Sequence, residues 1–251
     1  EDVKILVAED NEINQSLIKH LFKNWSLACD IVNNGKEAID ILQTKTYNLV
    51  LMDIQMPEMD GYTATREIRD DLKLEIPIVA MTAHAFAGER EKCLSYGMND
   101  YISKPIREDE LRNLISQFTQ NKQMAETQKR EVVKPIGSAY KYINLKYMKE
   151  ISNGNIEYEK TVTKQFIDVI SEEIVLLEKA SEKGQHGDLR QLAHNMKTTI
   201  SVMGLNELLQ PYLDALEYED VSADKLQSNI SFIKSICTAA IAEAQLLYSS
   251  Y

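Results

Sequence analysis

The sequence has no surplus of basic charge. Its 28 Lys and Arg face 39 Asp and Glu, a formal net charge of −11 over 251 residues. Residues 1–120 hold 13 basic against 21 acidic side chains, and 121–251 hold 15 against 18. Nucleic-acid backbones are gripped by clustered Lys and Arg, so this balance argues against a nucleic-acid surface and against docking on an anionic membrane. Cysteine is scarce. Cys29, Cys93 and Cys237 are an odd number without metal-ligand spacing, and they read as free thiols, small buried hydrophobes in a reducing, cytoplasmic compartment. No stretch approaches the ~20 apolar residues of a membrane span, and no signal peptide is visible. The first apolar run starts at Val3, which suggests a piece cut from something longer. What is present is 44% apolar residues, enough core for one large or two ordinary domains.

Along the first 120 residues, short apolar runs alternate with amphipathic stretches. The runs are Val3–Ala8, Ala28–Val32, Leu49–Met52, Ile78–Met81 and Tyr101–Ile102. Helix-like segments lie near 12–24, 35–44, 62–69, 87–96 and 107–120. This alternation predicts parallel strands joined by right-handed helical crossovers, and near-continuous apolar strands fit a sheet covered on both faces. The expectation is an α/β, doubly wound, five-stranded sheet over residues 1–120. Residues 121–140 are polar, with little apolar periodicity, and read as a linker. From 141 to 251 apolar residues recur at three- and four-residue spacing in 156–180, 188–204, 206–218 and 223–248. Four such segments, with a short leading helix at 144–151, predict an all-α, up-down four-helix bundle.

In an open parallel sheet, ligands bind beyond the carboxyl ends of the strands. Glu9 and Asp10 end the first run, Asp53 the third and Thr82 the fourth, while Lys104 follows the fifth. These residues should therefore converge on one sheet edge. Clustered carboxylates repel one another and need a cation, and an oxygen-only site suits Mg²⁺. With that charge neutralised, Asp53 can attack phosphorus as a carboxylate nucleophile, and Lys104 and the Thr82 hydroxyl can meet the phosphoryl oxygens.

The ordered set carries a family resemblance. Ile5-Leu-Val-Ala-Glu-Asp-Asn11, Leu51-Met-Asp-Ile-Gln-Met-Pro-Glu-Met-Asp-Gly61, Ala80-Met-Thr-Ala83 and Tyr101-Ile-Ser-Lys-Pro105 together resemble the receiver domain of two-component response regulators, with its flavodoxin-like fold. The resemblance implies that Asp53 is the phosphoacceptor. It also implies that Glu9, Asp10, Asp53 and the Gln55 carbonyl hold Mg²⁺, that Thr82 and Tyr101 form a switch pair, and that the Lys104–Pro105 bond is cis. Gln55 and His84 sit near the rim, where His84 reads as a solvated loop residue.

In the helical half, His194 is the histidine that sits well inside a long amphipathic segment, from Asp188 to Gly204. At about 100° per residue, Leu189, Leu192, Ala193, Met196, Ile200 and Met203 share one stripe and should face the core. His194, Lys197, Thr198 and Ser201 fall on the other side, so His194 is expected to face solvent beside Lys197 and Thr198. An exposed imidazole is nucleophilic near neutral pH, and a nearby ammonium can steady an arriving phosphoryl group. Leu192-Ala-His-Asn-Met-Lys197, followed by Gly204-Leu205, resembles the histidine-containing phosphotransfer domain. The departure is Thr198, where that family often has Gly. The dimerisation domain of histidine kinases fits less well, because Asn195 follows the histidine and the next Pro is Pro211.

The order receiver then phosphotransfer domain resembles the C-terminal portion of a hybrid sensor histidine kinase. That implies an upstream histidine kinase domain as phosphoryl donor, Asp53 then His194 as carriers, and a downstream response regulator receiver as acceptor. No ATP-binding boxes are found, so the chain should not draw phosphate from ATP by itself. A linker of roughly 20 residues spans about 5–6 Å times the square root of its length, an effective concentration on the order of mM. Two other function classes fit the residues less well. An aspartyl-phosphate phosphatase would carry Asp-x-Asp after the first strand, where this chain has Glu9-Asp10. A non-catalytic docking module would have no need for all five acidic-edge positions.

Overall fold

The computed structural model describes residues 3–83, 88–119, 140–220 and 222–251. The chain divides into two compact units, Glu1–Glu131 and Val132–Tyr251. The stretch read as a linker lies outside the described residues, apart from Tyr140.

In the first unit, β1 (Lys4–Ala8), β2 (Ala28–Val32), β3 (Leu49–Asp53), β4 (Ile78–Thr82) and β5 (Asp100–Ser103) alternate with α1 (Glu12–Asn24), α2 (Gly35–Leu42), α3 (Gly61–Asp70), α4 (Glu89–Ser95) and α5 (Glu108–Thr119). The five strands form one parallel sheet in the order β2-β1-β3-β4-β5. This is the flavodoxin-like arrangement, in which strand order reverses beside β1 and opens a crevice at the strands' carboxyl ends. Burial explains the sequence pattern. Every residue of β3 and β4 is buried, whereas the edge strands β2 and β5 are only partly covered. Helix starts are set by polar caps: the Asn11 side chain accepts from the Ile13 and Asn14 amides, Asn34 from Glu37, and Asp60 from Thr63. Gly61 is required by close approach, since a Cβ there would lie 2.2 Å from the Asp53 carbonyl oxygen.

The second unit contains α6 (Lys146–Ser152), α7 (Ile156–Glu182), α8 (His186–Ser201), α9 (Asn206–Tyr218) and α10 (Ala223–Ser250). It is all-α. α7 packs on α8 and α10, and α9 packs on the same two helices, so the four close a ring. Phe166, Ile170, Met196, Ile200, Leu213 and Ile233 fill its interior, each contributing roughly 1.5–3 kcal/mol by leaving water. The segment expected as one helix to Gly204 ends at Ser201. Gly204 takes φ +67°, and a Cβ there would sit 2.6 Å from the Asn144 carbonyl oxygen. The Glu243 carboxylate on α10 accepts from the amides of Lys141, Tyr142 and Ile143 at 2.8, 2.9 and 3.0 Å, anchoring the entry to this unit.

Contrary to the sequence expectation, α10 holds a stretch long and apolar enough, at mean hydropathy 1.4, to cross a membrane by length and composition. Lys234, Glu243 and scattered Ser, Thr and Gln break its apolar run, so no long uninterrupted stretch is visible although the mean stays high. Here the helix packs on α7 and α9. The three cysteines are free, Cys93 and Cys237 buried and Cys29 half-buried on β2.

Candidate functional site

The carboxyl ends of β1, β3, β4 and β5 assemble the first cluster. Glu9 and Asp10 follow β1, Asp53 closes β3, Thr82 closes β4 and Lys104 follows β5. Glu9, Asp53 and Thr82 are buried, and Asp10 is partly exposed. One carboxylate oxygen each from Glu9, Asp10 and Asp53 lies within 4.8 Å of the others. The Lys104 ammonium donates to Asp53 Oδ2 at 2.5 Å and lies 2.8 Å from Glu9 Oε2. The ammonium thus bridges the two buried carboxylates, and the Glu9 oxygen still has lone-pair capacity for a further partner. The Lys104 amide donates to the Thr82 carbonyl at 2.7 Å, which fixes the lysine's backbone against β4, and the Lys104–Pro105 peptide is cis.

The Gln55 amide donates to Asp53 Oδ1 at 3.3 Å. Tyr101 is half-buried against the core cluster that contains Met98 and Ala80, and it pairs with Ala80 two residues before Thr82. His84 lies outside the described residues.

The electrostatics of this cluster are lopsided, with three carboxylates against one ammonium. Burial pushes the Asp10 carboxyl up to about 6, with Glu9 adding to the rise and Lys104 opposing it. Asp53 is also raised, by burial first and by Glu9 and Asp10, against the pull of Lys104. Burial alone would depress Lys104, but Asp53 and Glu9 outweigh it and hold the ammonium charged well above the usual lysine range. An oxygen-only donor set with excess negative charge suits a hard divalent cation.

The second cluster lies between α8 and α9, and here the structure corrects the sequence reading. His194 was expected to face solvent, yet it is 5% exposed. Thr198 and Ser201, placed on the same outer side, are buried as well, and the Lys197 side chain is nearly so. The physical reason is that α8 packs on both α7 and α9. A single-stripe reading allows a helix one covered face, and this helix has two. The second covered face is polar: His194 Nδ1 lies 3.0 Å from Glu217 Oε1, and Lys197 donates to Glu217 Oε2 at 2.6 Å. The Lys197 ammonium also pairs with Asp214 and sits 4.7 Å from the centre of the Tyr218 ring. Burial pushes the Glu217 carboxyl up, but hydrogen bonds from His194, Lys197 and Tyr218 outweigh it and bring it down to about 2. Glu217 is therefore anionic at neutral pH and can only accept at His194 Nδ1, which turns Nε2 away from the carboxylate. Among the described residues Nε2 has no hydrogen-bond partner.

Sequence reasoning missed Asp214, Glu217 and Tyr218. The signal that could have flagged them is local: Asp214 and Glu217 stand three residues apart on α9, with Tyr218 next to Glu217.

Comparison with known proteins locates the first cluster in a family. Residues 5–116 match the response regulator receiver domain. The osmosensing histidine protein kinase SLN1 of Saccharomyces cerevisiae is 43% identical over 126 residues, covering 46% of this chain and 10% of that protein. The sensor histidine kinase RcsC of Salmonella typhi is 36% identical over 120 residues, covering 48% of this chain and 13% of that protein. The chain thus spans about a tenth of the length of these curated relatives. A solved receiver domain, from a Pseudomonas aeruginosa PAO1 sensor histidine kinase with magnesium coordinated in its active-site cleft, is 36% identical. It covers 48% of this chain and 100% of that one, with a TM-score of 0.44. Residues 5–116 form a response regulator receiver domain of two-component signalling, similar to those of hybrid histidine kinases.

Proposed function

We propose that this chain is a two-step phosphorelay segment, in which Asp53 takes a phosphoryl group from an upstream kinase phosphohistidine and His194 carries it to a downstream receiver. On this reading α7–α10 are an up-down four-helix bundle of the histidine-containing phosphotransfer kind, joined to the receiver by residues 121–140. Glu9, Asp10, Asp53 and the Gln55 carbonyl would hold Mg²⁺. The fit rests on three carboxylates that share one ammonium and on the unused acceptor capacity of Glu9. When bound, the ion supplies positive charge that neutralises both the phosphoryl oxygens and the attacking carboxylate.

The chain's own residues do the rest. Asp53 is the nucleophile, while Lys104 and the Thr82 hydroxyl meet the phosphoryl oxygens. Thr82 and Tyr101 then report the added charge to the surface as the switch pair. In the second unit Glu217 keeps the proton on Nδ1, so Nε2 is the accepting atom, and the ring needs no reorientation before attack. Lys197 stands one turn along, and Thr198 flanks the approach.

The observation that carries the relay, as against a lone receiver, is the His194–Glu217 contact at 3.0 Å. A histidine whose Nδ1 is held by a carboxylate is oriented for chemistry at its other nitrogen. The burial of His194 favours a second reading, in which the His194–Glu217–Lys197 set only pins α8 to α9 and the helical unit is a docking domain.

One experiment separates the two. The full chain is incubated with a small-molecule acyl phosphate and Mg²⁺, and label is located by peptide mapping and by its lability in acid and alkali. The relay predicts label on Asp53 and on His194, none on either residue in Asp53→Asn, and label retained on Asp53 but absent from the bundle in His194→Gln. Mixing those two variants tests transfer between chains. Label confined to Asp53 in the unaltered chain would leave only the docking reading.

A further inference from the structure

Lys197 is fully engaged before any phosphoryl group arrives. An ammonium has three N–H directions. In this structure one meets Asp214, one meets Glu217 at 2.6 Å, and the Tyr218 ring stands 4.7 Å from the nitrogen. Side-chain exposure ranks the two carboxylates: Glu217 is 3% exposed and is held by His194 as well, whereas Asp214 is 39% exposed. A phosphoryl group on His194 Nε2 needs a cation close by. Lys197 stands on the same helix three residues from His194 and shares its Glu217 carboxylate. To serve the phosphoryl oxygens it must release a partner, and Asp214 is the one that water can replace most readily.

We infer that Asp214 is a positioning residue that competes with the phosphoryl group for the Lys197 ammonium, and so sets how far phosphoryl transfer runs toward His194. The inference rests on the relay reading. In the transfer, the bond from phosphorus to the Asp53 carboxylate oxygen breaks and a bond from His194 Nε2 to phosphorus forms. The electron pair of the broken bond stays on Asp53. The Nδ1 proton stays on the ring, facing Glu217, so the product is a phosphorylated imidazolium and no proton is lost. Lys197 then exchanges Asp214 for a phosphoryl oxygen. The exchange trades one partly exposed ion pair for another of higher charge, which makes transfer reversible, as suits a carrier that must pass the group on.

The test measures the steady-state ratio of label on His194 to label on Asp53 in the full chain, with acyl phosphate and Mg²⁺. Asp214→Asn is expected to raise that ratio roughly two- to five-fold, the worth of one partly exposed ion pair. Asp214→Glu should restore the original ratio. In a Lys197→Met background the Asp214→Asn effect should vanish, which a merely structural role of Asp214 would not predict. An unchanged ratio in Asp214→Asn, or an effect that persists without Lys197, overturns the inference while leaving the relay intact. No label on His194 in the unaltered chain overturns the relay and the inference together.

Discussion

The two polar clusters differ in charge balance rather than in burial. At the receiver's sheet edge, Glu9, Asp10 and Asp53 share one ammonium, and two of these carboxyls are driven upward. Between α8 and α9, Glu217 and Asp214 share Lys197 with an imidazole beside them, and Glu217 is driven down. The first cluster is short of positive charge and must recruit it. The second is closed on itself and must open. Buried polar groups persist only when compensated. The sheet edge leaves its compensation to something outside the chain, whereas the helical cluster supplies its own.

Removing the Lys104 ammonium, the one cation at the sheet edge among the described residues, should have the largest effect. Lys104→Met leaves Glu9 and Asp53 buried without a cation, and breaking a buried pair in this way costs about 3–5 kcal/mol. Trp25, the chain's single tryptophan, lies in the first unit, so its fluorescence in a urea titration reads that unit. Mg²⁺ should restore part of the loss. If the metal-free variant is as stable as the parent, the sheet edge is not short of charge and the comparison breaks.

The two units should also respond to acid in opposite directions. Glu217 has a folded value near 2, below its ordinary 4.5. Its contribution is present above pH 4.5 and is lost as pH falls toward 2, at most on the order of 3 kcal/mol. Asp10 is raised to about 6 from 3.8. Metal-free, the receiver therefore binds extra protons between those values, and its stability rises as pH falls through that window. Urea titrations across pH 2–7, followed by Trp25 fluorescence for the first unit and by the amide NMR signals of α8 and α9 for the second, check both slopes. Adding Mg²⁺ should flatten the receiver's slope and leave the other unchanged.

Glu217→Gln sharpens the same contrast at neutral pH. The amide can still accept from His194 but presents hydrogens toward Lys197, so the second unit should lose about 1–3 kcal/mol. Phosphoryl acceptance on His194 should also fall. A loss of stability with no change in acceptance would assign the His194–Glu217 contact to architecture alone.

What was legible beforehand follows the range of the interactions involved. The strands, the helices and the convergence of Glu9, Asp10, Asp53, Thr82 and Lys104 could be read because parallel strands deliver their carboxyl ends to one edge. Each residue needed only its place in its own strand. His194 could be picked out as a candidate for the same local reason. Its surroundings could not, because Glu217 stands 23 residues away on another helix, and nothing in the period of α8 says that α9 will cover its polar side. Thr198 and Ser201 are buried as well, and Thr199 is buried with its hydroxyl donating to Glu173 on α7, as befits a helix with two covered faces. α10 escaped as an apolar segment because Lys234, Glu243 and scattered polar residues divide it into short runs whose average is nevertheless apolar.

The smallest effect is expected from a pair whose geometry looks identical to the largest. Lys164 lies 2.5 Å from Asp168 on α7, the same separation as Lys104 from Asp53. Both members of the α7 pair are 53% exposed, while those of the receiver pair are buried. Water screens the first, and either partner left alone is resolvated, so Lys164→Ala should cost no more than about 0.5 kcal/mol in the second unit's urea transition. The receiver pair has no such recourse. A Lys164→Ala loss approaching that of Lys104→Met would mean that distance, not desolvation, governs these contacts, and the contrast between the two clusters would lose its physical basis.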